Sequence, residues 1–176
     1  WEVVRQMHDN ATVEQSTECK YKGDYALSIT KADIPWELNK LTAVHQKVAV
    51  EPNTKYKYTF FVKRKNAQYF WFSLKGRSRD ADCYINLSTT GEDSKMMVFS
   101  GEYTTGADET ELDLTFVNES VADYIYIDYV FLRKDGSSTN LVRNSSFEDL
   151  TDADYRIDST VVGDVRNFLE EAEKHY

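Results

Sequence analysis

The sequence predicts an all-β fold, built as a sandwich or barrel of antiparallel strands. Segments in which apolar and polar side chains alternate recur along most of the chain, as expected for half-buried strands. Short clusters of Gly, Asp, Ser and Asn separate these segments and are typical of turns. In addition, no apolar repeat with the period of a helix occurs before residue 150.

Six segments carry the strand pattern, in the order 24–30, 44–50, 56–63, 68–75, 111–116 and 123–132. In the third segment the apolar side chains share one face: Tyr56, Tyr58, Phe60 and Val62. The fourth segment places Phe70, Phe72 and Leu74 on one face and Tyr69, Trp71, Ser73 and Lys75 on the other. The sixth segment is strongly strand-forming but aromatic on both faces.

The last stretch, residues 151–176, has a different pattern. Its apolar residues recur at helical spacing, with acidic residues and Lys on the opposite face: Val162, Val165, Phe168, Leu169 and Ala172. The loop 135–140 is rich in turn-forming residues and marks the boundary with the preceding strands. We therefore predict a C-terminal helical tail after the β-fold.

Composition and charge exclude two classes of partner. Of the 176 residues, 41% are hydrophobic and 14% aromatic, which is sufficient for a folded core. Thirty acidic residues against 21 basic ones give a net charge of −9, which repels phosphate backbones, so we expect no nucleic-acid partner. The sequence has no apolar run of about 18 residues, so we expect no membrane span.

The sequence offers little support for catalysis by this segment. The three histidines, His8, His45 and His175, are far apart and form no cluster with metal-ligand spacing. Nucleophile-elbow, phosphate-loop and zinc-protease motifs are not found. With 30 acidic residues, close carboxylate pairs arise by number alone and identify no glycosidase pair. We therefore predict that the segment is not an enzyme by itself.

The N-terminus and the cysteines give little information about the cellular compartment of the protein. The chain begins at Trp1 without a signal peptide, so we expect a fragment or a processed product. Cys19 and Cys83 could pair, but two cysteines make no disulfide framework, and we favour free thiols.

Four stretches of the chain, taken in order, carry a resemblance to a known family. They read KGDYALSI, VHQKVAVEPNTKYKYTFFVK, SGEYTTGADETELDLTF and YIYIDYVFLRKDG. This order resembles carbohydrate-binding modules of the jelly-roll type, the group that contains families four, nine and twenty-two. The resemblance covers about residues 1–134. It implies a jelly-roll β-sandwich of two antiparallel sheets, a polysaccharide or oligosaccharide ligand, an attached glycoside hydrolase domain, and an extracellular or cell-surface location.

The resemblance raises a question about the segment NSSFED, residues 144–149. In such modules an Asn-x-x-Phe-Glu phrase opens the first strand a little before a Trp, and Trp1 corresponds to that Trp. The phrase at 144–149 either begins a following domain or supplies the missing first strand to this sandwich. We favour the first interpretation, because the helical segment after it does not resemble the module's next strand. The expected divisions are a sandwich at 1–136, a linker and opening phrase at 137–150, and the tail at 151–176.

Sugar binding requires aromatic rings with polar neighbours, because a pyranose packs its C–H faces on rings while its hydroxyls take hydrogen bonds. We assume that the apolar faces of segments 56–63 and 68–75 point to the core and that these strands are adjacent. The opposite face, continued by the segment 44–50, then contains the predicted sugar-binding residues: Tyr69, Trp71, Phe61, Lys63 and His45, with Ser73 and Lys47 beside them. Trp36, in a loop, either rims a groove or plugs the end of the sandwich.

A structural calcium ion is a further implication of the resemblance. In the resembled modules such an ion often lies between the opening Glu, the backbone near the Gly of the early strand and an Asp of the final strand. The corresponding residues here are Glu148, the carbonyls near Gly23, and Asp128. The final strand departs from the pattern, because Tyr129 stands where a second acidic residue is usual.

Two functions remain open at this point. In the first, the aromatic face holds a glycan and keeps an attached enzyme near its substrate. In the second, the same sandwich is a structural accessory domain, its aromatic face is covered, and it binds no sugar. The exposure of Trp71, Tyr69 and Phe61 distinguishes them.

Overall fold

The computed structural model describes residues 1–5, 13–30, 42–65, 70–76, 84–87, 93–118 and 124–149. These residues form ten strands: β1 (Glu2–Arg5), β2 (Val13–Ser16), β3 (Ala26–Thr30), β4 (Thr42–Ala49), β5 (Lys55–Lys65), β6 (Phe70–Ser73), β7 (Tyr84–Asn86), β8 (Met97–Thr104), β9 (Glu111–Asn118) and β10 (Tyr124–Lys134). Within these ranges the chain forms no helix, and hence none that could span a membrane.

The strands form two antiparallel sheets of five strands each. The first sheet has the order β1-β4-β9-β6-β7, and the second has the order β2-β3-β10-β5-β8. From β3 onward, every connection except that between β6 and β7 leads from one sheet to the other. Strands that are consecutive in sequence therefore lie mostly in opposite sheets, as in a β-sandwich with crossing connections.

The core between the sheets is dominated by aromatic rings. Phe60 of the second sheet contacts Phe72 and Phe116 of the first, with ring centroids 4.6 and 5.0 Å away. All three side chains are fully buried. These residues occupy the apolar positions of the alternating segments, so the period-two pattern correctly identified the inward faces.

Strand β10 contains a β-bulge, and this explains why its sequence is aromatic on both faces. The pairing of β10 with β5 shifts between Asp128 and Phe131, and Tyr129 has a positive φ of 50°. Ile127 before the bulge and Val130 after it are both in the core, although they are three residues apart. The bulge thus reverses the alternation and turns Tyr129 and Phe131 away from the core.

Residues 141–149 pack on this sandwich. Phe147 is fully buried, and its ring lies 5.5 Å from that of Trp1. The indole nitrogen of Trp1 donates to the carbonyl of Asn144, and the nitrogen of Val130 donates to the carbonyl of Ser145. Phe147 is thus part of the core beside Trp1, although residues 141–149 form no strand of the sandwich. That a further domain begins at this segment stays a prediction.

The prediction of an all-β sandwich of two antiparallel sheets is confirmed. Each of the six predicted segments contains a strand, whereas β1, β2, β7 and β8 were not predicted. Three of these are only three or four residues long, and the sequence of β8 contains Gly101, which breaks the apolar alternation. The predicted helical tail lies in 151–176, outside the described residues.

Candidate functional site

The outer face of the first sheet, meaning the side turned away from the core, presents three rows of side chains across β4, β9 and β6. An apolar row contains Ala43, Val117 and Trp71; a polar row contains His45, Thr115 and Ser73; a charged row contains Lys47, Asp113 and Lys75. These residues alternate with core residues such as Val44, Phe116 and Phe72, so they point the other way.

An interstrand network of carboxylates and an imidazole crosses this face. Nδ1 of His45 lies 2.9 Å from Oδ1 of Asp113, and the hydroxyl of Thr115 donates to the same oxygen at 3.2 Å. On the other side, Nε2 of His45 lies 3.3 Å from Oε2 of Glu2 in β1. The network joins three neighbouring strands and holds the imidazole between two carboxylates.

Most of the outer face is removed from solvent. Trp71 is 1% exposed, and Ser73, Thr115 and His45 are also buried. The edge of the face is open, because the side chains of Lys47 and Glu2 are 56% and 64% exposed. The second sheet lies on the other side of these strands, so the burial of Trp71 does not come from the core.

The structure does not bring all the predicted sugar-binding residues together. Trp71 and His45 share the outer face of the first sheet, two strands apart. Phe61 and Lys63 lie on β5, in the second sheet. The assumption that segments 56–63 and 68–75 are adjacent is therefore wrong, because the chain crosses between the sheets after β5. Tyr69 and Trp36 lie outside the described residues.

Two polar residues of the outer face were not identified from the sequence. Asp113 and Thr115 occupy the outward positions of β9, between the core residues Leu112, Leu114 and Phe116. The alternation of segment 111–116 carries this information, but the position of β9 between β4 and β6 is not visible in the sequence. If the neighbouring strands are unknown, a polar residue at an outward position of a strand does not indicate a binding site.

The predicted calcium ligands do come close to one another, around the loop before β3. Oδ2 of Asp128 accepts hydrogen bonds from the backbone nitrogens of Tyr21 and Lys22, at 2.8 and 3.2 Å. Oε1 of Glu148 accepts hydrogen bonds from those of Asp24 and Tyr25, at 2.9 and 3.0 Å. The structure thus joins both acids to one loop, although they are far from it in sequence.

Gly23 is required for this arrangement. Its φ of +82° favours glycine, and a Cβ atom at this position would overlap the carboxylate of Glu148. The carboxylate of Glu148 can therefore accept hydrogen bonds from the backbone of this loop only because residue 23 has no side chain.

The donors around these carboxylates do not suit a calcium ion. Calcium needs carboxylate and carbonyl oxygens converging on one point. Asp128 instead receives backbone N–H groups at both oxygens, the third from Tyr129 at 2.7 Å. Among the residues that the structure describes, no group of three or more His, Cys, Asp or Glu side chains is placed to hold a metal. The set present here therefore does not fit the ion, and its carboxylates instead accept hydrogen bonds from backbone N–H groups.

Burial also affects the ionisation of this region. Burial raises the pKa of Asp128 above its ordinary value, against the opposing effect of the backbone N–H groups of Tyr21, Lys22 and Tyr129. Cys19, close by, has a free and half-buried thiol. Its pKa is raised mainly by burial, which disfavours the reactive thiolate. Cys83 lies outside the described residues.

Comparison with known proteins identifies the family. The model of a carbohydrate binding domain family matches residues 3–121, which is more than half of the chain. Comparison with curated protein sequences finds no match.

Solved structures share the fold. The enzymatically active domain of tailspike protein 4 of bacteriophage CBA120 aligns with a TM-score of 0.58 at 14% identity, over 76% of this chain and 19% of that one. TmCBM61, solved with β-1,4-galactotriose, aligns at 0.50 and 15% identity, over 76% of this chain and 88% of that one. The CBM22-1 and GH10 modules of Clostridium thermocellum xylanase 10B, complexed with xylohexaose, align at 0.50 and 10% identity, over 80% and 27%.

The family match agrees with the order of motifs noted in the sequence, and the fold agrees with the two-sheet architecture that those motifs imply. The chain therefore belongs to the carbohydrate binding domain family whose model matches residues 3–121.

Proposed function

We propose that this chain is a non-catalytic module that binds a polysaccharide or oligosaccharide on the outer face of the first sheet. The observation that carries the proposal is the row arrangement of that face, where Trp71 stands beside a row of hydrogen-bonding side chains. Membership of the carbohydrate binding domain family supports the class of ligand.

The three rows match the chemistry of a sugar ring. The indole of Trp71 offers a flat apolar surface for the C–H face of a pyranose, and its row neighbours Ala43 and Val117 are small. The next row supplies hydroxyl and imidazole groups for the sugar hydroxyls. Asp113 and Lys47 in the charged row add an acceptor and a cation at the edge of the face.

Binding at Trp71 requires the face to open. Because this indole is only 1% exposed, the residues that lie over it must move before a sugar ring can contact it. The free energy of that opening reduces the apparent affinity, since only the open fraction of molecules binds.

We further propose that the module holds an attached glycoside hydrolase near its substrate, in an extracellular or cell-surface setting. Tethering acts by raising the local concentration of substrate at the catalytic domain. In support, one protein of similar fold combines a CBM22-1 module with a GH10 module, and another is the enzymatically active domain of a phage tailspike.

The burial of Trp71 favours a second candidate function. In this alternative the outer face is a second core, and the sandwich is a structural accessory domain that packs on a catalytic domain without binding sugar. A Trp that is 1% exposed contributes about 3–5 kcal/mol to stability when it is part of a core.

Affinity electrophoresis of the full chain, combined with urea unfolding, separates the two functions. Suitable probes are soluble β-1,4-galactan, xylan, mixed-linkage β-glucan and polygalacturonate. Retardation of the wild type by one of them, lost in a Trp71→Ala protein that circular dichroism shows to be folded, supports the binding site. Failure of all four probes to retard the wild type, with a loss of about 3–5 kcal/mol in Trp71→Ala, supports the accessory domain instead. Ser138→Ala, at an exposed position of the loop 135–140, is the control for nonspecific changes in mobility.

A further inference from the structure

The second sheet carries a cluster of aromatic rings on its own outer side. The cluster consists of Tyr21, Phe61, Tyr129 and Phe131, and we refer to it as the aromatic platform. The rings of Tyr21 and Phe61 are stacked, with centroids 3.6 Å apart and planes inclined by 16°. Tyr129 meets Tyr21 edge-on at 5.6 Å and lies 5.5 Å from Phe131.

The platform presents a ring face to solvent. Tyr21 is 52% exposed although one face of its ring lies flat against Phe61, so the exposed part includes the opposite face. Val98, the register partner of Phe61 on β8, is 56% exposed and continues the apolar area. Within the part of the chain that the structure describes, the large exposed apolar side chains are Tyr21, Met97 and Val98, and two of these three border Phe61 in this area.

The platform is held in place by a buried carboxylate. Asp128, which is fully buried, accepts hydrogen bonds from the backbone nitrogens of both Tyr21 and Tyr129. The same side chain therefore fixes the loop that carries one ring and the bulge that carries the other. A ligand that stacks on Tyr21 consequently loses little free energy in ordering the site.

Polar groups flank the rings in a way that suits sugar hydroxyls. The hydroxyls of Thr59 and Ser100 lie 3.0 Å apart on β5 and β8, in an exposed position. Thr59 and Phe61 occupy alternate positions of the same strand and so point to the same side. Tyr21 adds its own phenolic hydroxyl. An exposed ring face next to hydroxyls is the combination that packs against a pyranose, whereas a protein partner is usually recognised by a larger apolar area.

We propose that the aromatic platform is a second glycan-binding surface, on the opposite side of the sandwich from the outer face of the first sheet. The ligand class rests on the proposed function and the family, while the position rests on the geometry of the second sheet. Two surfaces on opposite sides can engage two polysaccharide chains or two segments of one chain, which raises the overall affinity.

The test is affinity electrophoresis of the full chain in gels of β-1,4-galactan, xylan, β-glucan and polygalacturonate. The variants are Tyr21→Ala, Tyr21→Phe and Trp71→Ala, and the dependence of mobility on polysaccharide concentration gives each Kd. Tyr21→Ala is expected to weaken binding about two- to tenfold, as for the loss of one ring contact, while Tyr21→Phe keeps most of the affinity. Tyr21 lies on an exposed loop, so the substitutions leave the fold intact, which circular dichroism verifies.

The outcomes separate this proposal from the function on which it rests. If Trp71→Ala alone reduces retardation and Tyr21→Ala binds like the wild type, the platform is not a glycan site and the proposed function stands. If no polysaccharide retards the wild type, both are overturned. If Tyr21→Ala changes the sedimentation coefficient but not the retardation, the platform is an interface between copies of the chain, and the proposal is again overturned.

Discussion

The carboxylate of Asp128 in β10 lies 2.8 Å from the backbone nitrogen of Tyr21. This contact joins the bulge of the second sheet to a loop more than one hundred residues earlier in the sequence. A buried carboxylate is costly unless it is hydrogen-bonded, and three backbone N–H groups provide the bonds here, from Tyr21, Lys22 and Tyr129. The acid expected to bind calcium thus organises the backbone directly.

Replacement of this acid tests its role in stability. Asp128→Asn converts one oxygen that accepts backbone N–H bonds into an NH₂ group. This group is a donor, so it cannot accept a hydrogen bond from the backbone nitrogens. The free energy of unfolding is expected to fall by about 1–3 kcal/mol. Urea unfolding followed by circular dichroism measures this change. The control is Asp108→Asn at an exposed turn, expected within about 0.5 kcal/mol of the wild type. Equal urea midpoints for Asp128→Asn and the wild type would refute the assignment.

Removal of divalent cations is expected to leave the melting temperature unchanged. Amide donors already surround Asp128 and Glu148, so the loop at Gly23 needs no cation to hold them. The measurement is a thermal melt of the protein treated with EDTA, compared with the same protein in excess calcium chloride. A calcium-dependent rise of several degrees would contradict this account, since a ligand that binds only the folded state stabilises it.

The strand pattern was readable from the sequence because alternation is a local property. The inward positions of segments 56–63 and 68–75 hold Phe60 and Phe72, which meet in the core at 4.6 Å as expected for two inward faces. The pairing of the strands was not readable in the same way. Phe61 and Trp71 were placed on one face, yet they lie on different sheets. The order of strands in a sheet depends on the crossover connections, which the local sequence pattern does not reveal.

The sites depend on contacts between distant parts of the chain, and this limits what the sequence reveals about them. Tyr21 could not be recognised as a binding residue from the sequence, since a single Tyr in a polar loop is not part of an alternating pattern. Its ring belongs to the platform only because the chain brings it to within 3.6 Å of Phe61. Asp128 was named only as a calcium ligand implied by the family resemblance. The backbone N–H groups that donate to it come partly from residues more than one hundred positions away, which no local pattern indicates.

Loss of the Phe147 side chain is expected to destabilise the sandwich strongly. This residue is fully buried and lies against Trp1, so Phe147→Ala leaves a cavity that costs about 3–5 kcal/mol. The control is Arg143→Ala, at an exposed position of the same segment, with an expected change below about 0.5 kcal/mol. Urea midpoints give both values. A small effect in Phe147→Ala would mean that residues 141–149 are not part of this core.

The contribution of Glu109 to stability is expected to depend on pH. Burial alone would raise the pKa of Glu109, but hydrogen bonds from the backbone of Gly106 and the hydroxyl of Tyr103, together with Lys75, lower it below its ordinary value. A pKa that is lower in the folded state means that the group stabilises the fold above its unfolded pKa, about 4.3 for Glu. This stabilisation is lost as pH falls through the folded pKa.

Glu109→Gln should therefore reduce the free energy of unfolding by about 1–2 kcal/mol at pH 7 and by much less near pH 3. Urea unfolding of wild type and variant at several pH values measures the difference directly. The matched control is Glu111→Gln, whose side chain is 54% exposed and pairs with Lys47 at 3.4 Å, a surface pair worth less than about 1 kcal/mol. If the Glu109→Gln difference grew as pH fell, the hydrogen bonds would favour the protonated acid, and the network around Tyr103 would have to hold a neutral Glu109.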